Sequence, residues 1–227
     1  MEKLLKKILK EENLNLSENN HGTDKGDYKS YIDLFYEKYF FEFKEKKINL
    51  LEIGFRHGAS LCLWSNYFKN GYILGLDNYS DIVFKNNPAN QKWIDRDNVE
   101  TKICDAYSLN FINSLKLNFD IIIDDGPHNL NSQIKCIKRY FPKLNKNGLL
   151  IIEDLLKGYI TCFFLILISP LNCQIKIFNF RNDKPGRDNM LFVIKKRKFK
   201  KSFLFNRFLI LIKTFINIPK EFFYKNP

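Results

Sequence analysis

The sequence is short of several things, and each shortage closes off a class of function. No stretch of roughly 20 consecutive uncharged residues occurs, which argues against a membrane-spanning helix. The opening residues, MEKLLKKILKEEN, turn charged almost at once and lack the apolar core of a secretory signal, so a cytoplasmic protein is expected. The five cysteines (Cys62, Cys104, Cys136, Cys162, Cys173) form no C-x-x-C pair and no metal-finger spacing, and they read as buried thiols in a reducing compartment. A dinucleotide fingerprint would need G-x-G-x-x-G; counted from Gly54, those positions hold Gly54, Arg56 and Ala59, so the second glycine is missing. There is no internal repeat and no Ser/Gly linker.

What is present is a chain of 227 residues with 45% apolar and 27% charged side chains, enough to bury a full core. The net charge of +12 invites a nucleic-acid reading. Its distribution opposes it. Residues 195–227 hold ten Lys/Arg and one Glu, so nine of the twelve net charges sit in a C-terminal tail, and no nucleic-acid partner is expected of the body.

Along the chain a polar loop over 13–29 precedes an aromatic helical stretch over 30–43. A rhythm then begins. Short apolar runs at Ile48-Asn-Leu-Leu-Glu-Ile-Gly54, Tyr72-Ile-Leu-Gly-Leu-Asp77, 99–104, Phe119-Asp-Ile-Ile-Ile-Asp-Asp125 and Gly148-Leu-Leu-Ile-Ile-Glu-Asp154 alternate with helical patterns at 59–68 and 129–144. Near-continuous apolarity is what parallel strands covered on both faces require. The pattern predicts an α/β, doubly wound, mostly parallel Rossmann-like sheet. The runs 173–180 and 189–195, joined by Arg-Asn-Asp-Lys-Pro-Gly-Arg, predict an antiparallel C-terminal hairpin at the sheet edge. The uncharged run 159–174 predicts a buried helix cut short at Pro170. Three segments are expected: a helical and lid segment at 1–45, the sheet domain at 46–196 and the tail at 197–227.

Ligands of open parallel sheets bind beyond the carboxyl ends of the strands. After the first run come Glu52-Ile-Gly-Phe-Arg-His-Gly58-Ala-Ser60, where glycine permits close approach and a helix N-terminus favours negative charge. Asp77, 23 residues after Gly54, is placed to accept both hydrogen bonds from a ribose diol. Asp105 follows the third run, where an acid could meet adenine. Asp124-Asp125-Gly-Pro-His128 follows the fourth run and Glu153-Asp154 the fifth. Neighbouring parallel strands would bring Asp125, Glu153 and Asp154 into one cluster beside His128. Clustered carboxylates repel unless a cation neutralises them, and an all-oxygen set suits Mg²⁺. A neutral imidazole beside that cation could take a proton from a hydroxyl.

These residues carry a resemblance. His21-Gly-Thr-Asp-Lys-Gly, Tyr31, Tyr36-Glu37, Leu51-Glu-Ile-Gly, Gly58-Ala-Ser-Leu, Trp64, Gly75-Leu-Asp77, the Asp124-Asp-Gly-Pro-His128 block and Glu153-Asp154, 25 residues after the histidine, resemble the macrocin and mycinamicin sugar O-methyltransferases. Those are class I S-adenosylmethionine enzymes that use Mg²⁺. The resemblance implies a metal site at Asp125, Glu153 and Asp154 and a base at His128. With the strand-end reading it implies cofactor contacts at Glu52, Gly54, Gly58, Ser60, Asp77, Asp105 and Asp124. His21 to Lys25 is expected to lie over the cofactor or acceptor as part of a lid. The chain departs from the family at Pro127, at Cys104-Asp-Ala-Tyr-Ser108 and at Leu155-Leu-Lys-Gly158.

The expected function is transfer of a methyl group to a hydroxyl of a sugar or glycosylated small molecule, with S-adenosylmethionine and Mg²⁺ as cofactors. The acceptor pocket is expected from 80–97 and the region after Asp154. Two other classes stay open: a non-catalytic membrane-surface or nucleic-acid binding module of the same fold, and a nicotinamide-dependent enzyme. The tail places basic residues beside an aromatic, apolar stretch judged too short to span. It suits contact with the inner face of the membrane, against folding back on the sheet or a homo-oligomer contact. A subunit contact through 163–168 is open in the same way.

Overall fold

A computed structural model describes residues 3–79, 88–183, 186 and 188–221. The chain divides into two compact units, 1–106 and 107–227.

In the first unit, helix α1 (Leu4–Glu11) buries Leu5, Ile8 and Leu9. Its first N–H groups, orphaned at any helix start, donate to the Glu37 carboxylate from Leu4 and Leu5 at 3.0 and 2.9 Å. Glu37 opens α2 (Glu37–Phe40), which continues a π-wound stretch (Ile32–Tyr36) and ends in a 3₁₀ turn (Phe41–Phe43). This aromatic stretch seals onto α3 (Ala59–Tyr67): the Tyr36 and Phe40 rings lie 4.9 and 5.2 Å from Trp64, and Phe40 lies 5.4 Å from Phe68. Strands β1 (Asn49–Ile53), β2 (Tyr72–Asp77) and β3 (Val99–Ile103) pair in parallel in the order β3-β2-β1, with α4 (Pro88–Ile94) before β3. Strands β1 and β2 are buried nearly throughout, whereas β3 leaves Ile103 exposed, matching its weaker apolar pattern.

In the second unit, α5 (Leu109–Ser114) leads to β4 (Phe119–Asp124), which pairs in parallel with β5 (Leu144–Ile152) across α6 (Leu130–Tyr140). Helix α6 is shorter than its apolar pattern, because the chain turns at 141–143 to enter β5. After α7 (Gly158–Ile168) come β6 (Cys173–Asn179) and β7 (Met190–Lys196), an antiparallel pair whose inner strand β7 runs antiparallel to β5. The order is β4-β5-β7-β6. The mostly parallel α/β architecture with an antiparallel C-terminal hairpin is therefore as the sequence predicts.

The tail differs from its expectation. Residues 201–221 form one helix, α8 (Lys201–Glu221), long and apolar enough by length and composition to cross a membrane, with a mean hydropathy of 1.2 in its most apolar window. The charges that break the apolar run, Arg207 and Lys213, do not break the helix, since Lys and Arg are good helix formers. Arg207 donates to the Ser169 and Pro170 carbonyls at the end of α7, at 2.8 and 2.5 Å. Glu221 meets Arg181 in a bidentate pair at 2.8 and 2.9 Å and accepts the Tyr159 N–H at the start of α7. Helix α8 therefore runs antiparallel along α7.

Candidate active site

In the first unit the functional side chains sit where β1 and β2 end. The turn after β1 is built from left-handed backbone, at Gly54 (φ 85°), Arg56 (φ 51°) and Gly58 (φ 89°). A Cβ on Gly58, the N-cap of α3, would strike the Ile94 side chain, so this turn demands glycine on both counts. Ser60 follows in the first turn of α3 and is buried. Asp77 ends β2. Its two oxygens accept the Arg56 and Tyr79 N–H groups, each at 2.8 Å. Those bonds fix the carboxylate plane, and each oxygen keeps a second lone pair.

Glu52 is fully buried. Trp64 Nε1 donates to it at 3.1 Å, and Lys25 Nζ lies 3.7 Å from its other oxygen. Lys25 is only 1% exposed, so the His21–Gly26 loop is packed in rather than solvated. The loop is further held by a bridge between Asn15 and Thr23, and by the His21 ring standing edge-on to His57 with Nδ1 and Nε2 3.4 Å apart. Asp105 lies exposed in the turn after β3. Residues 80–87 of the expected acceptor segment lie outside the described residues.

In the second unit the β4–β5 register sets Asp124 opposite Ile152, so the chain leaves both strands at one level. Asp125 and Asp154 follow from the two ends. Asn129 caps α6 by accepting the Ser132 N–H at 3.0 Å, which fixes the preceding His128 at the mouth of the turn. One ligand atom from each of Asp125, His128 and Asp154 lies within 4.8 Å of the others. His128 Nε2 is 3.8 Å from Asp125 Oδ1, and the buried Nδ1 has no hydrogen-bond partner. His128 and Asp154 both adopt left-handed backbone, φ 53° and 54°. Such conformations cost non-glycine residues about 1–3 kcal/mol each and persist where the surroundings hold a functional geometry. Two carboxylates at this spacing fit a divalent cation, with the imidazole beside it.

Glu153 stands apart from that group. Its N–H donates to the Asp124 carbonyl at 3.0 Å, extending the ladder, and its side chain is buried. The structure thus gathers Asp125, Asp154 and His128, and leaves Glu153 outside the gathered set. Asp124 accepts the Tyr107 hydroxyl at 2.5 Å, and burial pushes its carboxyl up to about 6. Burial also drives the Tyr107 phenol far above its ordinary value, so it stays a donor. Tyr107 was not singled out from sequence: it partners Asp124 from 17 residues away, and no spacing rule announces such a pair.

No family model matches the chain. It is 30% identical over 153 residues to 8-demethyl-8-alpha-L-rhamnosyl tetracenomycin-C 2'-O-methyltransferase of Streptomyces olivaceus, covering 63% of this chain and 38% of that protein. Over 135 residues it is 31% identical to demethylmacrocin O-methyltransferase of Streptomyces fradiae and 30% identical to mycinamicin VI 2''-O-methyltransferase of Micromonospora griseorubida. Each covers 55% of this chain and 31% of the relative. The chain therefore spans about a third of the length of these relatives. Among solved structures, the MycE methyltransferase in complex with Mg, SAH and mycinamycin VI aligns with a TM-score of 0.54 at 20% identity, covering 72% of this chain and 48% of that one. A putative rRNA methylase from Clostridium thermocellum aligns with a TM-score of 0.54 at 13% identity, over 71% and 93% of the two chains. The fold is that of the class I methyltransferases, and over 55–63% of its length the chain is similar in sequence to these O-methyltransferases.

Proposed function

We propose that the protein is an S-adenosylmethionine-dependent, Mg²⁺-assisted O-methyltransferase acting on a hydroxyl of a sugar or of a glycosylated small molecule. The observation that carries this reading is the convergence of Asp125, Asp154 and His128 at the ends of β4 and β5, with His128 and Asp154 on left-handed backbone, in a chain whose relatives methylate sugars. Asp77, its plane fixed by two backbone N–H groups, takes the ribose diol of the cofactor. The Gly54–Gly58 turn and the α3 N-terminus, with Ser60, receive the methionine portion, and Asp105 and Asp124 complete the cofactor set. Glu52, paired with Lys25 and bonded by Trp64, stands behind the turn as part of the cofactor set and ties the His21–Gly26 loop to β1.

Asp125 and Asp154 hold the cation, with Glu153 supporting them through the backbone. When bound, the cation lowers the pKa of the acceptor hydroxyl and fixes its direction. His128 takes the hydroxyl proton as the oxygen attacks the sulfonium methyl in line; the carbon–sulfur bond breaks and S-adenosylhomocysteine leaves. A cytoplasmic setting belongs to the same proposal, and the five free thiols support it.

Calorimetry with S-adenosylhomocysteine and with NAD, each with and without Mg²⁺, tests the reading. Saturable binding of S-adenosylhomocysteine and none of NAD is expected. Binding of NAD alone would overturn it in favour of nicotinamide chemistry.

A further inference from the structure

Helix α8 carries apolar side chains on both its inner and its outer side. The stripe that faces the rest of its unit mixes Phe203, Ile210, Leu211 and Ile218 with Arg207 and Asn217, and the two residues it fully buries, Thr214 and Glu221, are polar. The outward face carries Leu204, Phe205, Phe208, Ile212, Phe215 and Ile216, all between 40 and 65% exposed. In water this arrangement leaves large apolar side chains hydrated, against the sense in which surface helices fold. Helix α7 adds Phe164 and Leu167, exposed as well.

The charges choose the occupant of this face. Lys198, Lys200 and Lys201 are exposed where the chain enters α8, and Lys213 and Lys220 lie along it. The helix's one acid, Glu221, is neutralised by Arg181 inside the unit. Lys196 and Arg197 are spent on backbone and Asn147 oxygens and do not count toward the surface. A groove between β6 and α8 is lined by Gln174, Lys176, Asn206, Arg207 and Lys213, with no acid among its lining residues. A second copy meeting this face would bring cation onto cation. An anionic phospholipid surface supplies both halves of the match: hydrocarbon for the aromatic face and phosphate for the lysines.

We propose that α8 is an in-plane anchor that docks the protein on anionic bilayers. At about 1.5 Å per residue the helix is long enough to span, but Arg207 and Glu221 tie it lengthwise to α7, which holds it flat. Each lysine near an anionic surface adds about 1 kcal/mol to binding.

Flotation of the full chain with vesicles tests this. The chain is expected to float with phosphatidylcholine–phosphatidylglycerol vesicles at low salt, about tenfold or more above its level with phosphatidylcholine alone, and to be released by high salt. Phe205→Gln with Phe208→Gln should abolish flotation while leaving the circular dichroism spectrum unchanged. Should that variant not fold, replacing Lys198, Lys200 and Lys201 by Gln, all exposed, should remove the preference for anionic vesicles. A chain that stays soluble with both vesicles overturns the proposal, as does a variant that floats like the parent. A dimer that the phenylalanine variant dissociates, with no flotation of either, assigns the face to a second copy and also overturns it.

Discussion

Two ionic groups in the second unit can be set side by side. Arg181 and Glu221 form a closed pair: opposite charges, two hydrogen bonds, both side chains about 2% exposed, net charge zero. Asp125, His128 and Asp154 form an open group: two acids and an imidazole within 4.8 Å, His128 and Asp154 on left-handed backbone, with Asp125 and His128 partly exposed. The first group answers its own electrostatics and reads as architecture, tying α8 to the strand end after β6. The second gathers two like charges beside an imidazole, a donor set of the kind a divalent cation takes. The sign of the gathered charges and their access to solvent separate the two.

Breaking the closed pair should have the largest effect. Glu221→Ala strands the buried Arg181 guanidinium and removes the acceptor of the Tyr159 N–H, at a cost of about 3–5 kcal/mol. Thermal unfolding should show Tm falling by about 10 °C, and replacing both partners by apolar residues should recover most of the loss. A Tm unchanged in Glu221→Ala would mean the pair is not closed in solution. Next comes His128→Ala. It should leave S-adenosylhomocysteine affinity close to the parent's in calorimetry, while methyl transfer falls by about a hundredfold or more. Equal turnover at saturating acceptor would remove His128 from the chemistry.

Tyr107→Phe should cost about 1–2 kcal/mol, since it leaves a buried Asp124 oxygen without its donor. Chemical unfolding would show a lower midpoint at unchanged slope. The smallest effect should come from Asp154→Asn without metal. Asn tolerates left-handed backbone, and one of two like charges is gone, so stability should stay within about 0.5 kcal/mol of the parent. A loss as large as that of Glu221→Ala would make Asp154 another architectural charge and erase the contrast.

Much of this was legible beforehand, and the reason is local. The parallel strands announce themselves through continuous apolar runs, and strand-end acids such as Asp77, Asp125 and Asp154 need only the rule that parallel strands end on one side. What stayed hidden depends on distant partners. Glu221 reads as a lone acid in a basic tail until Arg181, 40 residues earlier, is seen against it. Lys25 reads as part of a lid over the cofactor or acceptor until Glu52 is found behind it. The outward turn of Phe205 and Phe208 follows from where Arg207 and Glu221 anchor, not from their own sequence. Sequence placed Glu153 with the neighbouring acids, but side chains alternate along a chain leaving a strand, and only Asp154 reaches the gathered set.

The open group is the centre of the account, and titrating Mg²⁺ into the EDTA-stripped full chain by calorimetry tests it most directly. The account predicts saturable binding that is weakened about tenfold or more in Asp125→Asn and in Asp154→Asn, and unchanged in Glu221→Gln. Binding of equal strength in Asp154→Asn and the parent, or no binding at millimolar Mg²⁺, would contradict it.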